Sequence, residues 1–316
     1  MSRVLLFGAS GFVGARVRAV LEPDTELTCP GRAECDLLAA EVAELTELVH
    51  AARPDAVVNC TGQLTGGADT MIRAHTLVTA KLIEAVSAGA PRARFVRLGS
   101  AGEYGPVPFG APVAEDEPAT PVSEYGLSHL AGTQLVELAR SAGRIDAVVL
   151  RVFNPIGPGL STENVLGRTA ALLLEASETG TPEIGLGALG AYRDFVDVRD
   201  VALAVRAAIG VPEPPHVVFN ISSGYAVATR HAVRMLARSA GFTGTIREEA
   251  PAPAAARTAN VPWMCGDNSL ALRVLGWAPT HDLVDSVRDL WDAAVATATG
   301  IGPDPARTPA TSGVPA

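Results

Sequence analysis

Short apolar runs alternate with amphipathic stretches through the first half of the chain. Val4-Leu5-Leu6-Phe7 is a continuous apolar run closed by glycine, the pattern of a strand buried on both faces. Phe12 to Leu21 then has helical spacing and stops before Pro23. Glu26 to Cys29 predicts a second, weaker strand. Leu37 to Ala52 is helical by periodicity, with Pro54 beyond its end. Ala56-Val57-Val58-Asn59-Cys60 reads as a strand, and Ala68 to Ala88 as a long helix ended by Gly89. Phe95 to Leu98 predicts a strand, Ser123 to Ala142 a helix, and Ala147 to Leu150 another strand.

Regular alternation of strand and helix predicts an α/β fold: a Rossmann-type doubly wound parallel sheet with helices on both faces. Residues 1–155 are expected to form the domain built on this sheet. Beyond Pro155 the alternation loosens, with proline-rich breaks at Pro212 to Pro215 and Pro251 to Pro253. Residues 156–299 are expected to form mainly a smaller C-terminal substrate lobe. Segments near 195–221, namely Val201 to Ala208 and Val217 to Ile221, are expected to return to the main sheet. Residues 300–316 have no periodicity and read as a disordered tail. In sheets of this kind ligands bind at the carboxyl ends of the strands. Gly8, Thr61, Ser100 and Asn154 all fall just after predicted strands.

The chain has 316 residues, 48% of them apolar, which is ample for a globular core. No apolar run approaches the roughly 18 residues that span a bilayer. No basic region followed by an apolar stretch and a cleavage site opens the chain, so a cytoplasmic location is expected. A net charge of −9 without any Lys/Arg cluster argues against nucleic acid as a partner. Lys81 is the sole lysine; the preference for arginine accompanies the Ala, Gly and Pro load and carries no chemistry in itself. The 4 cysteines, at 29, 35, 60 and 265, form no C-x-x-C pair and have no histidine at metal-ligand spacing. Reduced thiols are expected, with no metal, although Cys29 and Cys35 flank a turn and are close enough in sequence to approach each other.

The strongest chemical signal is Gly8-Ala9-Ser10-Gly11-Phe12-Val13-Gly14, between the first strand and the first helix. Glycines there let the backbone turn tightly and approach a pyrophosphate, and the helix start offers free N–H groups and a positive dipole end. The bland reading is a turn that merely packs helix on strand. The strand–turn–helix context favours a site for NADP or NAD, so residues 1–155 are expected to be a dinucleotide-binding domain.

The Gly-x-x-Gly-x-x-Gly spacing resembles short-chain dehydrogenases/reductases of the extended type, the NAD-dependent epimerase/dehydratase family. Further segments agree, in order. Leu98 to Gly105 resembles the family's serine strand end, and Tyr125-Gly126-Leu127-Ser128-His129 lies where the family has Tyr-x-x-x-Lys. Arg151 to Gly159 resembles its R-x-F-N-x-x-G-P-G element, and Arg193 to Val201 its R-D-F-x-x-V-x-D-V element. Phe219 to Gly224 and Leu275 to Pro279 complete the set. The resemblance spans roughly residues 3 to 295. Within the family the pattern is most similar to reductases of nucleotide-linked 4-keto-6-deoxyhexoses, of the GDP-rhamnose-forming type. Three details point there: Pro54 to Asn59 running into Thr61-Gly62-Gln63, the I-G-P-G form, and Asp197 where many sugar epimerases carry His.

The resemblance implies carbonyl reduction with Tyr125 as acid/base and Ser100 orienting the carbonyl. Elementary chemistry agrees: a ketone accepting hydride needs a proton donor at its oxygen, and a tyrosine serves near neutrality when a nearby cation favours phenolate. His129 is the departure. It lies one helical turn after Tyr125, on the same face, where the family's lysine lowers the tyrosine pKa and holds the nicotinamide ribose. A histidine with an ordinary pKa of about 6.5 is mostly uncharged near neutrality. His75 stands where the family has a supporting Asn. The pair implies a rewired relay, a non-redox use of the fold, or lost activity with His129 as a solvated helix residue. A sugar-nucleotide epimerase or dehydratase with recycled cofactor remains a second enzymatic reading.

Cofactor choice turns on Cys29-Pro30-Gly31-Arg32, which has no acid until Glu34. Arg32 therefore favours NADP over NAD. Asp36 and Leu37 resemble the family's adenine-contacting pair, and Thr61 and Gly62 are further cofactor-facing candidates. For a substrate diphosphate Arg193 is the first candidate and Arg257 a second; either is alternatively a surface ion-pair residue. Gln63 and Asn154 are candidates for sugar hydroxyls or the nicotinamide amide. A nucleotide sugar is the expected substrate, and a homodimer a compatible assembly.

Overall fold

The computed structural model describes residues 1–248 and 261–300. Its elements in chain order are β1 (Ser2–Phe7), α1 (Phe12–Leu21), β2 (Thr25–Thr28), α2 (Val42–Ala52), β3 (Ala56–Asn59), α3 (Ala68–Met71), a π-helical stretch (Ile72–Leu77), α4 (Val78–Gly89), β4 (Arg94–Ser100), a 3-10 turn (Ala101–Glu103), α5 (Glu124–Ser141) and β5 (Asp146–Val152). There follow β6 (Pro155–Ile156), α6 (Val165–Thr179), β7 (Glu183–Leu186), β8 (Tyr192–Asp194), β9 (Val196–Asp197), α7 (Val198–Gly210), β10 (Val218–Ile221), β11 (Ala226–Ala228), α8 (Thr229–Ser239), β12 (Thr245–Glu248), β13 (Trp263–Met264), α9 (Ser269–Leu275) and α10 (Leu283–Thr299).

Six strands form one parallel sheet in the order β10-β5-β4-β3-β1-β2. Side chains alternate across it, as strand geometry requires. Val4 and Leu6 join the apolar cluster that includes Val17 of α1 and Val201 and Val205 of α7. Leu5 and Phe7 join the opposite cluster, with Val49 of α2 and Leu82 and Val86 of α4. A third cluster packs α6, α8 and α10 around β7, through Leu173, Leu236 and Leu290. It forms the C-terminal part of the molecule. Chain order reverses between β1 and β3, so the crevice for a ligand opens at the carboxyl ends of those two strands.

Several sequence expectations shift. Helix α2 begins at Val42, where Glu41 and Glu44 close a reciprocal cap, and Leu37 lies instead in a turn whose side chain enters the core. Val201 to Ala208 returns to the sheet as part of helix α7, packed on its face; β10 alone adds a strand there, beside β5. The long helix predicted over Ala68 to Ala88 contains the π-helical stretch, which carries His75. Arg257, the break at Pro251 to Pro253 and the tail beyond Gly300 lie outside the described residues. No helix among the described residues is long and apolar enough to cross a membrane. No group of 3 or more His, Cys, Asp or Glu among them is placed to hold a metal ion. All 4 cysteines are free thiols. Burial pushes the Cys60 thiol up to about 12, which makes it unreactive.

Candidate active site

The glycine turn sits at the switch point of the sheet. Gly8 has φ +80, a left-handed conformation natural to glycine, and a Cβ there would come within 2.9 Å of the Cys60 and Thr61 backbone after β3. A Cβ at Gly14 would collide with the Gly8 carbonyl, so α1 packs directly on the turn. Gly11 caps α1 without any side-chain hydrogen bond to the first amides. Those N–H groups and the helix dipole suit a diphosphate, and the surrounding backbone leaves the approach open. The residues present therefore fit a dinucleotide cofactor. Ser10 belongs to the same turn, and Phe12 and Val13 open α1.

In the loop after β2, Arg32 reaches Asp36 across 3.2 Å, with the arginine side chain 80% exposed. Backbone N–H donation from Leu38, helped by Arg32, holds the Asp36 carboxyl below its ordinary value. An ion pair this exposed contributes little to stability. The loop is tied down by Lys81, whose ammonium donates to the carbonyls of Leu38 and Ala40. Thr61 is oriented by Asn59, whose side-chain oxygen accepts from both its N–H and its hydroxyl.

Ser100 ends β4, two strands from β1 along the same carboxyl edge. Its hydroxyl accepts from the Gly102 N–H at 3.1 Å, while its own N–H donates to Glu103 at 3.0 Å. This reciprocal cap fixes the hydroxyl at the strand end. Tyr125 lies in the first turn of α5, which Ser123 caps. A Cβ at Gly102 would stand 3.4 Å from both the Ser100 hydroxyl and the Tyr125 ring, so the two predicted catalytic groups flank one position. Gly126 makes this possible, because a Cβ there would strike the Gly102 carbonyl.

His129 is 7% exposed, which overturns the reading of a solvated helix residue. Its ring lies 4.6 Å from the Tyr125 ring and 3.9 Å from the His75 ring. Burial, then the charges of His75 and Arg97, holds its pKa well below the ordinary value. His129 is therefore a neutral neighbour of Tyr125. His75, 3% exposed, is pushed down to about 4 by burial and by Arg97. Its tautomer follows from its partners. The Gln63 N–H donates to Nε2 at 3.1 Å, so Nδ1 carries the proton and donates to the Ser128 hydroxyl at 2.8 Å. Ser128 in turn donates to the Tyr125 carbonyl at 2.9 Å. The chain Gln63–His75–Ser128–Tyr125 thus locks the first turn of α5 to the loop after β3.

Sequence reasoning missed the buried charges behind these rings. Arg97 is 2% exposed and Glu103 is fully buried. Arg151 of β5 donates to Glu103 at 2.8 Å and lies over the Tyr104 ring, 4.6 Å from its centroid. The signal was present: an arginine in the middle of Phe95-Val96-Arg97-Leu98, a strand buried on both faces, has to find partners inside the protein.

Toward the C-terminal part, Arg193 is buried on β8, and desolvation lowers its pKa to about 10. One of its N–H groups donates to the Tyr192 carbonyl. Next to it Tyr192, Trp263 and the exposed Phe109 form an aromatic group with centroids 4.9 to 5.6 Å apart. Asn154 donates from Nδ2 to the Asp194 carbonyl at 2.8 Å, which offers Oδ1 to a ligand. The Gln63 side chain is exposed at the crevice edge. Asp197 is structural: it caps α7 and pairs with Arg199 and Ser286.

A model of the NAD dependent epimerase/dehydratase family matches residues 4–222. The chain belongs to this family. It is similar along nearly its whole length to the dTDP-6-deoxy-L-talose 4-dehydrogenase (NAD(P)(+)) of Kitasatospora kifunensis, at 39% identity over 306 residues, covering 92% of this chain and 95% of that protein. The GDP-6-deoxy-D-mannose reductase of Pseudomonas aeruginosa is 28% identical over 308 residues, covering 93% and 98%. Among solved structures, RMD from Pseudomonas aeruginosa complexed with NADPH superposes with a TM-score of 0.82 at 25% identity, covering 94% of this chain and all of that one. As an epimerase/dehydratase family member, the chain is a nicotinamide-dinucleotide enzyme of the extended short-chain type.

Proposed function

We propose that this enzyme is an NAD(P)-dependent oxidoreductase that interconverts carbonyl and alcohol at C4 of a nucleotide-linked 6-deoxyhexose. The observation that carries the proposal is the placement of Ser100 and Tyr125 around one position on the carboxyl edge that also holds the glycine turn. Whole-length similarity to a dTDP-sugar 4-dehydrogenase and a GDP-sugar reductase supports the substrate class.

A nicotinamide bound at this edge would supply the hydride chemistry. The protein does the rest. In the reductive direction the Ser100 hydroxyl donates to the ketone oxygen and polarises it, and the Tyr125 phenol gives that oxygen a proton. In the oxidative direction Tyr125 as phenolate takes the proton back. Arg193 binds the substrate diphosphate, with Arg257 as a second candidate; Asn154 and Gln63 meet sugar hydroxyls. Arg32 would hold the 2′-phosphate of NADP, which makes NADP the preferred cofactor; Asp36 and Leu37 would hold the adenosine, and Thr61 and Gly62 the nicotinamide half.

The test is turnover with dTDP- and GDP-linked 4-keto-6-deoxyhexoses in the presence of NADPH. Stoichiometric loss of reduced cofactor supports the proposal. Conversion of the sugar without net cofactor change would assign the chain to epimerases that recycle their cofactor.

A further inference from the structure

A tyrosine that shuttles a proton near neutrality needs a positive charge close by. His129 does not provide it. Arg97 Nη2 stands 3.5 Å from His129 Nδ1 and donates to the His129 carbonyl at 3.1 Å. A guanidinium has no acceptor, so it can face Nδ1 only when that nitrogen is an unprotonated lone pair. The remaining proton of the neutral ring is then on Nε2. Geometry alone therefore makes His129 a neutral ring polarised from behind by a cation.

The fold is built around that guanidinium. Nε donates to the Thr79 hydroxyl of α4 at 3.0 Å, and Nη1 donates to the Thr133 hydroxyl of α5 at 3.1 Å. Gly132 leaves the space it occupies: a Cβ there would come 2.5 Å from Nη2. Glu103 lies 3.9 Å from Nη1 but is engaged more closely by Arg151, at 2.8 Å. Two buried guanidiniums thus share one buried carboxylate, which leaves the group with one net positive charge. Glu115 and Glu137 face Arg151 rather than Arg97, and burial raises the pKa of both. Tyr104 faces Arg151 and is raised to about 12, so it stays a neutral phenol. His75 is neutral as well. Tyr125 is within electrostatic reach of Arg97 and favours its charged form.

We propose that Arg97 is the cation that sets the acidity of Tyr125, acting as a positioning residue through the neutral ring of His129. The proposal rests on the oxidoreductase reading for its role in turnover, but not for its measurement.

The experiment is an ultraviolet titration of tyrosinate in the cofactor-bound protein, taken as wild type minus Tyr125→Phe. With 4 tyrosines in the chain the difference isolates one phenol. The same difference is taken in Arg97→Met, Arg97→Lys and Arg97→Met/His129→Lys backgrounds. Arg97→Met is expected to raise the Tyr125 midpoint by about one pH unit or more. Arg97→Lys should keep most of the wild-type value, and adding His129→Lys to Arg97→Met should restore it by placing a charge directly beside the phenol. In the oxidative direction the pH–rate midpoint should move with the titration. An unchanged Tyr125 midpoint in folded Arg97→Met overturns the proposal. Loss of cooperative melting in Arg97→Met that Arg97→Lys and the double variant both fail to repair also overturns it, because Arg97 is then only structural. If wild type turns over no nucleotide sugar yet the midpoints shift as described, the oxidoreductase reading fails and the Arg97 assignment stands.

Discussion

His129 stacks on His75 with ring centroids 3.9 Å apart and an interplanar angle of 31°. Neither ring has a carboxylate partner, and Arg97 lies next to both. The pair is consequently built to stay uncharged. This has a cost in acid. The unfolded chain takes up a proton on His75 near its ordinary 6.5, whereas the folded protein resists until about 4. The unfolded state binds more protons between those values, so folding stability falls as pH drops through that window. For His75 alone the loss between about pH 7 and about pH 5 is on the order of 2 kcal/mol. His129 shifts in the same direction and adds to it. Chemical denaturation of wild type and His75→Asn at both pH values should show a smaller acid loss in the variant. Equal losses would mean that His75 is protonated in the folded state.

Arg32 now pairs with Asp36 at 80% exposure. We expect NADPH to bind more tightly than NADH, and Arg32→Ala to remove that advantage. Loss of a charged phosphate contact costs about 1.5–3 kcal/mol, roughly 10- to 150-fold in affinity. Fluorescence titration with both cofactors checks this. Equal wild-type affinities would remove Arg32 from the site.

Arg193→Ala should weaken a nucleoside diphosphate by a similar factor and leave NADPH affinity nearly unchanged. Calorimetry with dTDP and GDP separates the two effects. A parallel fall in both affinities would make Arg193 a support of the fold, and no fall in either would remove the diphosphate anchor.

Gly126→Ala puts a methyl group against the Gly102 carbonyl. The α5 start must then move away from the Ser100 turn. Overpacking of this kind costs about 1–3 kcal/mol, and the displaced Tyr125 should lower kcat by about 100-fold. Cofactor affinity should change little. Wild-type turnover in a folded Gly126→Ala protein would show that the Ser100–Tyr125 spacing does not limit the chemistry.

Much of this arrangement is legible in the chain before folding. The turn from Gly8 to Gly14 announces its role because glycine spacing, strand and helix coincide within a few residues. Ser100 and Tyr125 sit in segments that resemble the family's serine strand end and its Tyr-x-x-x-Lys helix, and both flank the Gly102 position at the carboxyl edge of the sheet. The Arg97 network is harder to read. Its partners Thr79, Glu103, Thr133 and Arg151 come from four elements, and no local spacing connects them. The start of α2 is misread for a related reason: Leu37 fits the helical period, but it is buried by a turn whose carbonyls are held by Lys81. Periodicity reports burial, not the backbone conformation that achieves it.

Under the proposed function this site moves hydride between a nicotinamide and sugar C4, with Tyr125 handling the proton. Its most direct test uses NADPH deuterated at the transferable nicotinamide position, together with a dTDP- or GDP-linked 4-keto-6-deoxyhexose. One deuterium is expected at C4 of the 6-deoxyhexose product for each NADPH consumed, with the rate reduced by about 100-fold or more in Tyr125→Phe. Product formed without deuterium at C4, or formed at the wild-type rate by Tyr125→Phe, would contradict it.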